Sequence, residues 1–274
     1  MTTTTTIDVP STDRDQVLRT RPGLRTTISQ SSTMAYRALL KIRRTPEQWV
    51  DVLLQPILFT VMFAYIFGGA ISGSVERYLP VLVPGILVQS VITTSVVTGT
   101  QLREDMEKGV FDRFRSLPIA RSAPLAGALL TDTIRYGIAT AMTFLVGLAI
   151  GWRPEGGWWL VLAGLLVVIT SWAVSWIWAL LGVLLRTAGA VQGIGILILF
   201  PLTFLSNAYV PVDTLPSWLA WFASVNPISH LVTAVRELAN QGTVGGDVGW
   251  TLLGALVIVA VFAPLTVRAY MRKA

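Results

Sequence analysis

Six long runs of apolar residues divide this chain, and short polar or glycine-rich segments separate them. A helix needs about 20 apolar residues to cross the roughly 30 Å hydrocarbon core of a bilayer, and each run is about that long. The pattern therefore predicts an all-α membrane protein with six transmembrane helices, at about 49–71, 78–98, 125–150, 158–185, 190–208 and 249–270.

The segment Arg103–Arg121 is a charged island between the second and third apolar runs. Four apolar residues within it recur at helical spacing and share one face: Met106, Val110, Phe114 and Leu117. Charged residues occupy the opposite face, and Pro118 closes the helix, because the residue before a proline avoids helical geometry. We expect this amphipathic helix to lie at the membrane edge and to contact a soluble partner.

The residues before the first run form two parts. Residues 1–25 are rich in Thr, Asp and Arg, lack an apolar signal segment, and are predicted to be a disordered cytoplasmic tail. Residues 26–44 have an apolar helical face with a basic face opposite it: Ile28, Ala35, Leu39 and Ile42 against Arg37, Lys41 and Arg44. This is typical of a helix in the membrane plane, although a basic linker has a similar composition. Thr45 and Pro46 then predict the start of the first spanning helix.

The segment 209–242 contains too many helix-breaking residues to form a span. Pro216 predicts the start of one short helix. Asn226 and Pro227 predict the N-cap and first residue of another, which ends before Gly242. Two short helices without a full span between them indicate a re-entrant or outer-surface element.

Several unusual residues lie inside the apolar runs. Pro80 and Pro84 predict a kink or a break in the second span, tolerable only where neighbouring helices satisfy the freed carbonyls. Asp132 and Arg135 are spaced to pair as i, i+3. A structural pair would offset the cost of burying both charges, whereas a functional pair would face a substrate path. We favour the structural interpretation and leave the other open.

Small and aromatic residues also mark the later spans. Trp172 and Trp176 lie one helical turn apart, which suits helix packing or a wall for a hydrophobic substrate. Gly189, Gly193 and Gly195 in the fifth span suit close approach between helices.

Composition and charge also indicate a membrane protein. The chain is 53% hydrophobic and 13% charged, whereas soluble domains carry about 25% charged residues. Of its 21 Lys and Arg residues, 17 lie on one predicted side of the membrane and three on the other. The positive-inside rule therefore predicts that both termini and the charged island are cytoplasmic. The sequence has no cysteine, which excludes disulfides and thiolate chemistry.

No phosphate-binding loop is present, because such a loop needs Gly-Lys followed by Ser or Thr. The three lysines, Lys41, Lys108 and Lys273, follow Leu, Glu and Arg. An intramembrane hydrolase would need Ser72 and His230 to act together, although 158 positions separate them. A proton-coupled carrier would use Asp51 or Asp132. Both alternatives are weak, because His230 is the only histidine in the sequence and no inverted repeat of six spans is detectable.

Two motifs resemble those of type 2 ABC exporter permeases, and within them the daunorubicin-resistance subgroup. The first is Met106–Leu125, MEKGVFDRFRSLPIARSAPL, which is similar to the cytoplasmic coupling segment of that subgroup. The second is a spaced pattern between residues 199 and 236: Leu199, Leu202, Leu205, Ser206, Ala208, Leu215, Pro216, Pro227, Ile228, His230 and Arg236. The resemblance covers residues 26–274, which would form a type 2 ABC transmembrane domain.

The resemblance implies a half-channel in the plasma membrane that exports hydrophobic drugs or lipids, with polysaccharide or glycolipid export as the alternative. Two permease copies would pair with two ATPase subunits, which bind the ATP and Mg; this chain would bind no cofactor or metal, perform no catalysis, and contact membrane lipids but no nucleic acid. The implied ATPase-coupling residues are Glu107, Lys108, Gly109, Phe111, Asp112, Arg113, Phe114 and Arg115. The implied outer gate comprises Pro216, Trp218, Asn226, Pro227, His230 and Arg236. The first, second and fifth spans would line the substrate path, with Tyr65, Gln89, Phe200 and Phe204 on it.

Overall fold

The computed structural model describes residues 46–109, 123–210 and 216–273, and every regular element in these ranges is a helix. In chain order they are α1 (Pro46–Ser72), α2 (Val75–Glu107), α3 (Ala123–Ile150), α4 (Trp159–Leu184), α5 (Ala188–Phe204), α6 (Ser217–Val225), α7 (Pro227–Arg236), a π-helical turn (Glu237–Gln241) and α8 (Gly246–Lys273). The predicted tail 1–25, the interfacial segment 26–44 and the island beyond Gly109 lie outside the described residues.

Five of the described helices are long and apolar enough to cross a membrane: Leu54–Ser72 within α1, Val75–Glu107, Gly127–Ile150 within α3, Trp159–Leu184 and Gly246–Lys273. They correspond to five of the six predicted runs, so the all-α, multi-pass membrane class is confirmed. The remaining run, 190–208, forms the apolar helix α5, which has 17 residues. At 1.5 Å per residue α5 is about 25 Å long, slightly less than the hydrocarbon core.

Helix α2 occupies the centre of the fold. In its most apolar stretch 83% of the residues are buried, compared with 11% in α8. It packs against α1, α3, α4 and α5, and its residues Leu82, Ile86 and Val91 belong to the main hydrophobic core. Helix α8 instead turns large apolar side chains such as Leu256 outward, where lipid would meet them.

Helices α2 and α4 cross at a pair of glycines. A Cβ atom at Gly99 would overlap the backbone of Trp178, and one at Gly182 would overlap the backbone of Gly99. Small residues permit such backbone contact between membrane helices. Beside the crossing, the indole Nε1 of Trp178 donates to Ser95 Oγ at 2.9 Å. Close packing and an interhelical hydrogen bond therefore hold the two helices together.

Helix α2 does not end where its apolar run ends, but continues to Glu107 inside the charged island. Lys108 is its C-cap, and Gly109 follows with a left-handed φ of 63°. A glycine in this conformation ends helices because it has no Cβ to clash with the preceding carbonyl. The prediction of one helix that carries both Met106 and Val110 is therefore wrong. The remaining predicted coupling residues, Phe111, Asp112, Arg113, Phe114 and Arg115, lie outside the described part of the chain.

Candidate substrate cleft

A cleft of about 500 Å³ lies between α1, α2 and α5, a volume typical of sites for drug-sized ligands. Helix α1 contributes Gln55 and Phe59 to its walls. The α2 wall consists of Gln89, Thr93, Thr94, Val96, Val97, Thr100, Gln101 and Glu104, and the α5 wall of Gln192, Gly195, Ile196, Leu199, Phe200, Thr203 and Phe204. The cleft is therefore bounded by the same three spans that the family resemblance implied for the substrate path.

The two main walls differ in chemistry. Six of the eight residues of the α2 wall are polar, and Val96 and Val97 are the apolar ones. The α5 wall is mainly apolar, and the rings of Phe200 and Phe204 stack with their centroids 4.4 Å apart. Polar residues inside a membrane helix are costly and commonly mark a transport path. The cleft can therefore hold a molecule that has both an apolar and a polar side.

Most hydroxyl protons in the cleft are used within their own helices. Thr94 Oγ1 donates to Ser90 O at 2.8 Å, and Thr203 Oγ1 donates to Leu199 O at 2.6 Å. These hydroxyl oxygens can therefore only accept a further hydrogen bond. Gln89 Oε1 is buried and has no hydrogen-bond partner among the described residues.

A buried ion pair lies behind the α2 wall. Arg135 Nη1 is 2.9 Å from Asp132 Oδ1, and both side chains are about 5% exposed or less, which confirms the predicted i, i+3 pair. Thr98 donates to Asp132 Oδ2 at 2.6 Å. Arg135 Nη2 donates to Gln101 Oε1 at 3.3 Å. The ion pair itself does not line the cleft. Through Arg135, however, it holds Gln101, which does.

Three of the four predicted path residues come together here: Gln89, Phe200 and Phe204 line the cleft. Tyr65 does not, because it lies on an outward face of α1 and is 66% exposed. The residues that the prediction missed are the further amides and the acid, Gln55, Gln101, Gln192 and Glu104. The polar positions on α2 recur at roughly helical spacing, which is the sequence signal that was available for that wall.

The other end of α2 is closed by polar contacts from α7 and the π-helical turn. Pro84 has no N–H, so it leaves the carbonyl of Pro80 without its helical donor. Asn240 Nδ2 donates to that carbonyl at 2.8 Å. Arg236 Nη2 donates at 3.0 Å to Val81 O and, also at 3.0 Å, to Asn207 O. Helix α2 is consequently unbroken, and the condition predicted for tolerating its prolines is confirmed.

We call α6, α7 and the π-helical turn, residues 217–241, the cap. The predicted helix starts are confirmed: Pro216 is the N-cap of α6, and Asn226 caps α7 through a 2.9 Å bond from Ile228 N to its Oδ1. Asn226 Nδ2 also donates to Leu202 O, at the end of α5, at 2.7 Å. Trp218 is 65% exposed on α6. The cap therefore joins the ends of α2 and α5 through side-chain to backbone bonds.

Charged residues in the cap have partners of different kinds. His230 Nδ1 lies 2.5 Å from Asp247 Oδ1 at the start of α8, so the partner of this histidine is a carboxylate, whereas Ser72, its partner in the hydrolase hypothesis, ends α1. Burial lowers the pKa of Arg236 to about 10, which leaves it cationic at neutral pH. Partial burial, with the nearby carboxylate of Asp247, raises the pKa of Glu237.

The sequence matches a family model and is similar to several known proteins. A family model described as ABC-2 type transporter matches residues 29–239. The daunorubicin resistance ABC transporter permease protein DrrB1 of Streptomyces coeruleorubidus is 45% identical over 255 residues, covering 92% of this chain and 90% of that protein. The probable doxorubicin resistance ABC transporter permease protein DrrC of Mycobacterium tuberculosis is 25% identical over 242 residues, covering 85% and 83%. The inner membrane transport permease YadH of Escherichia coli is 22% identical over 207 residues, covering 72% and 78%.

Proposed function

Because this chain belongs to the ABC-2 type transporter family, we propose that it forms the membrane path of an ATP-driven exporter of hydrophobic drugs. The observation that carries this proposal is the cleft between α1, α2 and α5, with one polar and one aromatic wall. The drug-resistance names of two relatives support this class of cargo. A glycolipid is the second candidate, because the amides Gln55, Gln89, Gln101 and Gln192 offer hydrogen bonds to sugar hydroxyls.

The energy source is a separate ATP-binding subunit, which holds ATP and Mg and docks against the charged island. Helix α2 supports this role, since its 33 residues span about 50 Å and lead from the cap, along the cleft, into the island. Its last turns carry two i, i+4 ion pairs, Arg103–Glu107 and Lys108–Glu104, each at 3.1 Å. Because α2 is one continuous helix, a displacement at its cytoplasmic end is passed to the cleft wall.

The working unit is a homodimer with two ATPase subunits. Helix α5 supports this arrangement, because a Cβ at Gly189 or Gly193 would meet nothing in the described chain. Leu197 on the same helix is 73% exposed. The Gly-x-x-x-Gly spacing and an open apolar face suit contact with a second membrane helix. In the dimer α5 is the sixth span, and a second copy shields its exposed side chains.

The charge asymmetry of the sequence supports the orientation that we propose. Both termini and the island lie in the cytoplasm, where most of the Lys and Arg residues are placed. The cap is then on the outer side, and its helices gate the exit through Pro216, Trp218, Asn226, Pro227, His230 and Arg236.

The test is reconstitution of the full chain with its cognate ATPase subunit in proteoliposomes loaded with ATP on the ATPase side. We expect ATP-dependent movement of daunorubicin, and a complex of two permeases and two ATPases in native mass spectrometry. Transport of a labelled glycolipid, with no movement of daunorubicin, would favour the second candidate. Daunorubicin transport that persists without ATP and collapses with the proton gradient would contradict an ABC mechanism.

A further inference from the structure

The side chain of Gln89 is buried, yet no hydrogen bond among the described residues explains its presence. It lies near the middle of α2 and lines the cleft, yet it is only 6% exposed. Its Oε1 atom is buried and accepts no hydrogen bond from the described residues. An unpaired buried acceptor destabilises the fold, and in the interior of a bilayer no bulk water compensates for it. Such a group is expected where an incoming molecule supplies the missing donor.

The neighbouring side chains of the cleft do not provide that donor. The hydroxyl protons of Thr94 and Thr203 are bonded to backbone carbonyls of their own helices. Across the cleft, Phe200 and Phe204 present a stacked aromatic surface. The amides of Gln55, Gln101 and Gln192 also line the cleft but do not bond to Gln89 Oε1, so this acceptor is left for a cargo with a ring system and a donor group.

The charge of the cleft restricts the cargo further. Among its described lining residues Glu104 is the ionisable one, and neither lysine nor arginine is present. Glu104 pairs with Lys108, but both side chains are substantially exposed, and an exposed ion pair of this kind is weak. An anionic headgroup would therefore find no counter-charge here, whereas an amine would meet acceptors, aromatic faces and one carboxylate.

We propose that Gln89 is the specificity-determining residue of the cleft. When its side chain turns toward the cleft, Oε1 accepts a hydrogen bond from a hydroxyl or amine of the cargo while the apolar part of the cargo lies against Phe200 and Phe204. The cleft thereby selects neutral or cationic amphiphiles that donate a hydrogen bond, and rejects anionic ones. This inference rests on the proposed function, since it names the class of molecule that the same cleft exports.

The experiment measures equilibrium binding of daunorubicin, a planar molecule with hydroxyl and amine donors, by fluorescence quenching. The full chain and its ATPase subunit are used together in nanodiscs without ATP. Gln89→Met removes the amide with little change of shape, and we expect it to raise the Kd about tenfold, the loss of one buried hydrogen bond. The matched control is Gln241→Met, the same change at an exposed position that does not line the cleft, for which we expect a Kd close to that of the wild type.

Two further measurements separate a binding role from damage to the fold. Gln89→Met removes an unpaired buried acceptor, so its melting temperature without ligand should equal or exceed that of the wild type. Gln89→Asn, which keeps the amide, should retain measurable binding. In competition, oleylamine should displace daunorubicin from the wild type, whereas oleate, which has the same chain and an anionic headgroup, should not.

Equal daunorubicin affinity of Gln89→Met and the wild type would overturn the inference and leave the proposed function standing. Displacement by oleate as effective as by oleylamine would overturn the selection against anions. Failure of the wild type to bind or transport daunorubicin at all would overturn the proposed drug cargo, and this inference with it.

Discussion

The two halves of α2 differ in whether the chain supplies hydrogen-bond partners for their buried polar groups. Toward Val75, the carbonyls of Pro80 and Val81 are satisfied by Asn240 and Arg236, so the helix is sealed against the cap. Toward Glu107, the polar wall that begins at Gln89 faces a cleft, and one of its acceptors has no partner in the described chain.

This difference distinguishes a structural polar group from a functional one within a single membrane helix. Both kinds carry the cost of removing a hydrogen-bonding group from water. Where the chain supplies the partner, the result is a rigid joint; where it does not, a ligand can supply it. Substitutions in the joint should therefore lower stability, and substitutions in the cleft wall should change transport.

The largest effect is expected where the cleft wall depends on a buried ion pair. Arg135→Leu removes the counter-ion of the buried Asp132, and we expect a loss of about 3–5 kcal/mol in the free energy of unfolding. The neutral double variant Asp132→Asn with Arg135→Gln should recover most of that stability, yet alter the KM for drug because Gln101 loses its charged donor. Thermal unfolding in detergent and transport assays measure the two effects. A KM that the double variant leaves unchanged would show that the pair does not position Gln101.

The second-largest effect is expected where the cap is joined to α2. Arg236→Met leaves Val81 O and Asn207 O without their charged donor, and we expect a loss of about 2–3 kcal/mol. Arg153 provides the matched control, because it also donates to two backbone carbonyls, Leu148 O and Trp152 O, but is exposed. Arg153→Met should change stability by no more than about 0.5 kcal/mol. Equal melting temperatures of the two variants would contradict the sealed-joint interpretation.

A double-mutant cycle tests whether the proline creates the need for the asparagine. Asn240→Leu should cost about 1–2 kcal/mol, since Pro80 O loses its donor. In a Pro84→Ala background the helix regains its own N–H donor, so the same change should cost clearly less. Additive effects in chemical or thermal unfolding would mean that the two residues act independently.

Gly109 tests the end of α2. Its φ of 63° is costly for alanine, so Gly109→Ala should destabilise the helix end by about 1 kcal/mol and lower ATP-driven transport. Gly69→Ala is the control, because Gly69 lies within α1 and a Cβ there would contact nothing in the described chain. ATPase activity and drug efflux measured together detect uncoupling. Unimpaired efflux in Gly109→Ala would exclude a role for this turn in coupling.

The smallest effect is the pH response of the cap. Because the pKa of Glu237 is raised in the folded protein, the folded state binds the proton more tightly than the unfolded chain. Stability should therefore fall as the pH rises from below the ordinary value of 4.5 through the raised pKa. Glu237→Gln removes the titrating group and should flatten this part of a melting-temperature profile. An unchanged slope would assign the pH response to other groups.

Residue pattern predicted those parts of the fold that depend on local chemistry. The apolar runs located the spanning helices, Asn226 and Pro227 the start of α7, and i, i+3 spacing the Asp132–Arg135 pair. These features follow from hydropathy, capping and helical geometry within one element. They need no knowledge of how the elements pack.

Features that depend on packing were harder to predict. Tyr65 is an aromatic residue in a lining span, but the rotation of α1 about its axis turns it away from the cleft. The contact between Gln101 and Arg135 likewise depends on how α2 packs against α3. The end of α2 at Glu107 was not predicted, because the apolar residues keep their helical spacing past Gly109. The left-handed backbone of that glycine, which spacing does not reveal, ends the helix.

The glycine crossing of α2 with α4 has a mechanical consequence. Backbone contact at Gly99 is one of two such contacts of α2, since a Cβ at Gly85 would likewise overlap the backbone of Ala208. The two glycines lie about 21 Å apart along the helix, and Gly99 lies about 12 Å from Glu107. A helix held at two points cannot tilt about either one without opening the other contact. A push at Glu107 is therefore transmitted to the cleft wall as rotation or sliding along the helix axis rather than as tilt.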